Sequence, residues 1–146
     1  MKLTFAALAA VSALALAGAT QAAEFTINMV NTGTNGGTMQ FEPAFLKVAP
    51  GDVVHFVAAD KGHDSESIVV PDGAQGWKGA ISQNVDVTFS APGLYVFKCA
   101  PHYPMGMVGV IEVGDAAVNL DAVKAFKMPT KPTAKVAELL EDAGIK

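Results

Sequence analysis

The sequence has no arginine. All ten basic residues are lysines, set against fourteen acids, for a formal net charge of −4. Basic runs are missing too, and a net acidic chain without them argues against nucleic acid as a partner. Cysteine is almost absent. With Cys99 alone, the chain cannot staple itself through an internal disulfide. That thiol is therefore a free reactive group, an intermolecular link, a buried apolar residue or a metal ligand. Only one long apolar run occurs, over residues 3–18, and it is short for a membrane span of about 20 residues.

That run follows Lys2 and precedes the small residues of Thr20-Gln21-Ala22. Basic start, apolar middle and small-residue end form the pattern of an export signal cleaved after Ala22. Residues 1–22 are expected to be removed, with the periplasm as destination and no membrane association afterwards. Residues 23–146 then form one domain of ordinary size with room for one core.

The rest of the chain reads as short strands. Phe25-Thr26-Ile27-Asn28-Met29 and Val85-Asp86-Val87-Thr88-Phe89 alternate apolar and polar residues. Further strands are expected over 39–48, 53–58, 67–70, 94–99 and 108–113, with Pro43 breaking the first of these. Asn31 to Gly37 reads as a loop, and Pro50-Gly51-Asp52 and Ala91-Pro92-Gly93 read as turns. Many short strands at regular spacing indicate a mainly β sandwich. The C-terminus changes character. Asn119 stands where a helix cap would, opening a helix over 119–127. A second helix is expected over 133–143, with Val136, Leu139, Leu140 and Ala143 on one apolar face and Gly144 ending it. Both helices are expected to cover core.

Chemistry concentrates in Cys99-Ala100-Pro101-His102-Tyr103-Pro104-Met105-Gly106-Met107. One loop offers a thiolate, an imidazole and a thioether. Two histidines, one cysteine and a weak axial methionine make a blue-copper site, so the loop asks for a second histidine. His63, in Lys61-Gly62-His63-Asp64, is the candidate. Met105 and Met107 compete for the axial position, Met105 being nearer in sequence. A protein that stores or delivers copper is the second reading, and a catalytic Cys99–His102 pair the third, but the latter leaves the methionines unexplained and lacks an oxyanion-stabilising motif. A structural zinc site normally needs four Cys or His ligands. His55 lies mid-strand on the face of Val53 and Val57, and reads as a surface or hydrogen-bonded histidine.

These segments, with Phe41-Glu42-Pro43, Pro50-Gly51-Asp52, Gly114-Asp115 and the two helices, resemble the cupredoxins and, within them, the pseudoazurins. The resemblance covers residues 23–146. Plastocyanins are similar in spacing but lack the helical tail. The resemblance implies a cupredoxin-like Greek-key sandwich, and one copper ion held by His63, Cys99, His102 and Met107. It implies a carrier of single electrons and not an enzyme. The implied partners are nitrite reductase or related denitrification enzymes and c-type cytochromes. These would dock at an apolar patch of Pro43, Pro101, Pro104 and Met105 around His102, with Lys61, Lys78 and Lys98 at its rim. Three departures stand out. The loop between His63 and the Val85 strand is a little short for that family. Asp64 stands where an asparagine is typical, and Thr32 where a lysine is frequent.

Overall fold

A computed structural model describes residues 21–146. Of the expected export signal, all but Gln21 and Ala22 lies outside the described residues. Eight strands are followed by two helices: β1 (Glu24–Thr32), β2 (Thr38–Glu42), β3 (Phe45–Val48), β4 (Val53–Val57), β5 (Glu66–Val69), β6 (Val85–Thr88), β7 (Gly93–Lys98), β8 (Val108–Val113), α1 (Leu120–Ala125) and α2 (Thr130–Asp142). The strands form two four-stranded sheets, ordered β2-β1-β4-β6 and β3-β8-β7-β5. This is the cupredoxin sandwich with a helical tail.

In place of one extended stretch over 39–48, the structure has two strands in different sheets. β2 pairs with β1, and β3 with β8. Pro43 sits in the crossing, where its missing N–H breaks no ladder. Strand alternation sorts the rest. Ile27, Met29, Val54 and Phe56 face inward and meet Phe97, Ile111 and Val113 of the opposite sheet. Phe41, Phe56 and Phe97 pack edge to face, with centroids 4.7–6.5 Å apart. Such pairs add about 0.5–1.5 kcal/mol each beyond simple burial. Trp77, from the loop before β6, stacks on Phe56 at 5.5 Å.

Strands β7 and β8 are buried along nearly their whole length. The second sheet is covered on both faces, by the first sheet and by the helices. Its outward residues Leu94, Val96, Val108 and Val110 pack with Val123, Val136, Leu139 and Leu140. The helices differ from expectation at their ends. α2 starts three residues early, at Thr130, and takes Pro132 into its first turn, where a missing N–H costs nothing. Ala143 is exposed beyond the helix, off the buried face. Asn119 does precede α1, but its side chain caps nothing. Its amide instead accepts from Leu94 N–H at 2.7 Å and donates to Leu94 C=O at 2.8 Å. It thus completes the backbone pairing of Leu94 on the side that β5 does not reach, β8 lying on the other.

His55 lies on the outer face of β4, as its alternation with the buried Val54 and Phe56 requires. Its Nδ1 is 2.8 Å from Asp86 and its Nε2 3.4 Å from Glu24. The Asp86 bond, chiefly, raises its pKa above the ordinary histidine value. A raised native pKa adds stability that is complete below the unfolded value of about 6.5 and is lost as pH rises through the native one. Unfolding midpoints of the protein are expected to fall on passing from mild acid to neutral pH relative to His55→Gln. Parallel pH profiles of the two proteins would refute this.

Candidate metal centre

Cys99 follows the last residue of β7, and Met107 precedes β8. Between them the chain is folded on itself. His102 N–H donates to the Cys99 carbonyl, Met105 N–H to the His102 carbonyl, and Cys99 N–H to the Met107 carbonyl at 3.0 Å. Tyr103–Met105 form one 3-10 turn, and Gly106 reverses the chain at φ +97°, a conformation that favours glycine. Local geometry alone therefore gathers positions 99, 102 and 107.

His63 arrives from the loop that carries the chain from β4 in one sheet to β5 in the other. It is fully buried. Two seams hold it. Asp64 Oδ1 accepts the Ala100 N–H at 2.6 Å, tying the His63 loop to the Cys99 loop. The segment before β6 zips along the other side: Ser82 N–H donates to the His63 carbonyl, Gly62 N–H to Ser82 Oγ, and Trp77 Nε1 to Ser65 Oγ. The aspartate that departs from the asparagine pattern thus still joins the loops, through a carboxylate oxygen.

The Cys99 sulfur lies 3.6 Å from His63 Nδ1 and 3.4 Å from His102 Nδ1. All three atoms lie within 4.8 Å of one another. Nitrogens at about 2.0 Å and sulfur at about 2.3 Å from a shared metal, spread in a trigonal plane, would be about 3.7 Å apart. The donors fit such an ion. His63 Nε2 donates to Asn31 Oδ1 at 2.9 Å, so its Nδ1 presents a lone pair. That lone pair, the Cys99 sulfur and His102 Nδ1 lie close enough together to hold one cation.

Electrostatics agree. Burial, and then the neighbouring His102, depress the His63 pKa and keep it neutral, as a ligand must be. Burial pushes the Cys99 thiol up, against the opposing pull of the Asp64 and His102 backbone N–H groups. A metal must therefore displace its proton. Met107 is buried, while Met105 is 53% exposed, which separates the two methionines that spacing left in competition. His55 lies in the outer-face cluster already described and takes no part.

Of the residues expected to form the contact patch, His102 is half-buried, and Pro43, Pro101, Pro104 and Met105 are exposed. The lysines are less uniform than a simple rim. Glu66 lies 3.8 Å from Lys98 and 3.9 Å from Lys78, and Lys98 also sits over the Tyr103 ring. Lys61 is exposed and has no ion pair among the described residues.

Fold and donor set together define a mononuclear copper protein of the cupredoxin class. Residues 27–114 match the model for copper binding proteins of the plastocyanin/azurin family. A pseudoazurin of Paracoccus pantotrophus is 46% identical over 138 residues, covering 92% of this chain and 94% of that one. A solved pseudoazurin structure from Sinorhizobium superposes with a TM-score of 0.79 at 44% identity, over 84% of this chain and 98% of that one. One from Hyphomicrobium denitrificans gives 0.78 at 41%, over 82% and 98%. The chain belongs to the plastocyanin/azurin family and, within it, to the pseudoazurins. It is a type 1 copper electron-transfer protein and not an enzyme.

Asn31 is the residue that the sequence reading missed. In the sequence it reads as the first residue of a loop rich in asparagine and glycine, whereas the structure keeps it within β1. Only its 2.9 Å bond to a residue 32 positions away reveals it. Partners of this kind orient ligand histidines and typically change metal affinity about 10–100-fold when lost. Asn31→Leu is accordingly expected to weaken copper binding by that factor in chelator competition, with the strands intact by circular dichroism. Unchanged affinity would show that the bond does not orient His63.

Proposed function

We propose that His63, Cys99, His102 and Met107 hold one copper ion, and that His102 passes single electrons to partner proteins in the periplasm. The convergence of two imidazole nitrogens and the only thiol supports the ligand set most directly. Copper supplies the one-electron change. The chain's part is to keep the donors fixed while that change occurs. Soft sulfur suits Cu(I) and imidazole suits both states, so neither state demands new ligands. Three ligands from one hydrogen-bonded loop, and a fourth clamped between two seams, leave little freedom for the site to relax.

Residues 1–22 serve export in this reading, and residues 23–146 are the working domain. The succession of basic start, apolar run and small residues supports this. Nitrite reductase, related denitrification enzymes and c-type cytochromes are the proposed partners. The half-buried His102, ringed by exposed Pro43, Pro101, Pro104 and Met105, forms the contact face, with Lys61 and Lys98 at its rim. Because Glu66 offsets Lys98, Lys61 carries more of the long-range attraction.

Titration of the copper-free domain with Cu(II) tests the ligand set. An intense thiolate-to-copper band is expected at one copper per chain, with narrow hyperfine splitting in electron paramagnetic resonance. Cys99→Ser should abolish both. A weak band with ordinary tetragonal signals would overturn the site. Stopped-flow electron transfer with a purified nitrite reductase tests the contact face. The association rate should fall as the Debye length shrinks from about 30 Å to about 8 Å, and Lys61→Glu should flatten that dependence. A rate indifferent to salt would refute steering.

A further inference from the structure

Asp52 is a buried carboxylate, 7% exposed, in the turn between β3 and β4. It forms no ion pair among the described residues. Its two oxygens accept two backbone N–H groups instead: Oδ2 that of Ala49 at 2.8 Å, and Oδ1 that of Ala23 at 2.8 Å. The first bond closes the turn. The second reaches 29 residues back, to the residue that the export reading makes the first of the mature chain. Ala23 is also held from its other end, since Val53 N–H donates to its carbonyl at 2.9 Å. β1 begins at the next residue, with Glu24 opposite Val53. The Ala23 nitrogen thus has no slack between itself and the first strand pair.

We propose that Asp52 is the receptor for the mature N-terminus: removal of residues 1–22 places the Ala23 α-ammonium in an ion pair with the Asp52 carboxylate, locking β1 to the β3–β4 turn. The inference rests on the proposed cleavage after Ala22. In that hydrolysis the Ala22–Ala23 peptide bond breaks. Water supplies the new Ala22 carboxylate oxygen and both protons that make the Ala23 nitrogen an ammonium. The same nitrogen stays beside the same oxygen and gains a positive charge. A half-satisfied buried carboxylate, costly when its donors are neutral, acquires a counter-ion. A charge-assisted bond is roughly twice as strong as a neutral one. The groove between Gln21–Ala22 and the 49–52 turn opens at the same time.

Other charged groups on these elements are already engaged. Glu24 lies beside His55, His55 beside Asp86, and Lys47 pairs with Glu112 at 2.8 Å. Asp115 accepts the Ala117 N–H. Asp52 is therefore the acid left for the ammonium. An α-amine held by a carboxylate titrates higher in the native state than its ordinary value of about 7.7–8.0. Its stabilisation is complete below that range and disappears as pH rises through the native value.

The test compares the exported, copper-loaded protein with a variant carrying one glycine inserted between Ala22 and Ala23. After cleavage the variant keeps the Ala23 N–H but moves the ammonium about 3.3 Å along the chain. Intact mass first establishes where each chain begins. Urea unfolding is then measured near pH 6.5 and near pH 10, in the natural and Asp52→Asn backgrounds. The natural chain should have a folding equilibrium constant about tenfold larger near pH 6.5, the factor that one pKa unit carries. That gap should close near pH 10 and vanish in the Asp52→Asn background. A chain beginning at Ala23 with no gap would overturn the ion pair. A chain beginning elsewhere would overturn the cleavage reading, and the ion pair with it. If Asp52→Asn does not fold, the glycine insertion and its pH dependence decide the matter alone.

Discussion

Three potential metal donors from two separate loops are held together at one end of the sandwich, and the rest of the structure serves that constraint. The two imidazole nitrogens and the thiol sulfur lie within 4.8 Å, with His63 and Cys99 fully buried. Burial first, and then the neighbouring His102, lower the basicity of His63 and keep it neutral, as a ligand must be. One cation can be held by all three atoms, and that makes the site a place for metal.

Holding such donors apart from relaxation requires two loops to be rigid separately and fixed to each other. The Cys99 loop is rigid through its own hydrogen bonds. The His63 loop is not, and borrows its order from Asn31, Asp64, Ser82 and Trp77. The Asp64–Ala100 bond then couples the two loops across the end of the sandwich. Beneath them, Phe41, Phe56, Phe97 and Trp77 form a continuous aromatic floor. Close packing at this floor transmits little motion to the donors. Rigid donors suit a carrier whose metal changes charge without changing ligands.

The helical tail performs a different service. It covers the outer face of the second sheet, so β7 and β8 are buried on both sides. These are the strands from which the Cys99 loop springs and to which it returns. With both strands sealed, the loop is anchored at each end in a fully packed layer. Asn119 completes this from the side by supplying Leu94 with the hydrogen bonds of an absent neighbour.

The β class, the helical tail and the Cys99–His102 pair were legible in the sequence because each is local, whereas the choice between Met105 and Met107 came from the family resemblance and from burial. Alternation, helical spacing and a nine-residue loop are short-range patterns. His63 was chosen because the Cys99 loop asks for a second histidine, while His55 reads as a mid-strand surface or hydrogen-bonded residue. Longer-range features were not legible. The split of 39–48 at Pro43 depended on which sheet each half joined. Asn31, Asp64 and Asn119 acquired their roles from partners 25–36 positions away. Glu66 reached Lys98 through the pairing of β5 with β7. The sequence by itself determined which atoms could bind a metal, because donor chemistry belongs to the side chains. Only the tertiary structure decided how those atoms are oriented, protonated and screened, because that depends on neighbours brought together by strand pairing.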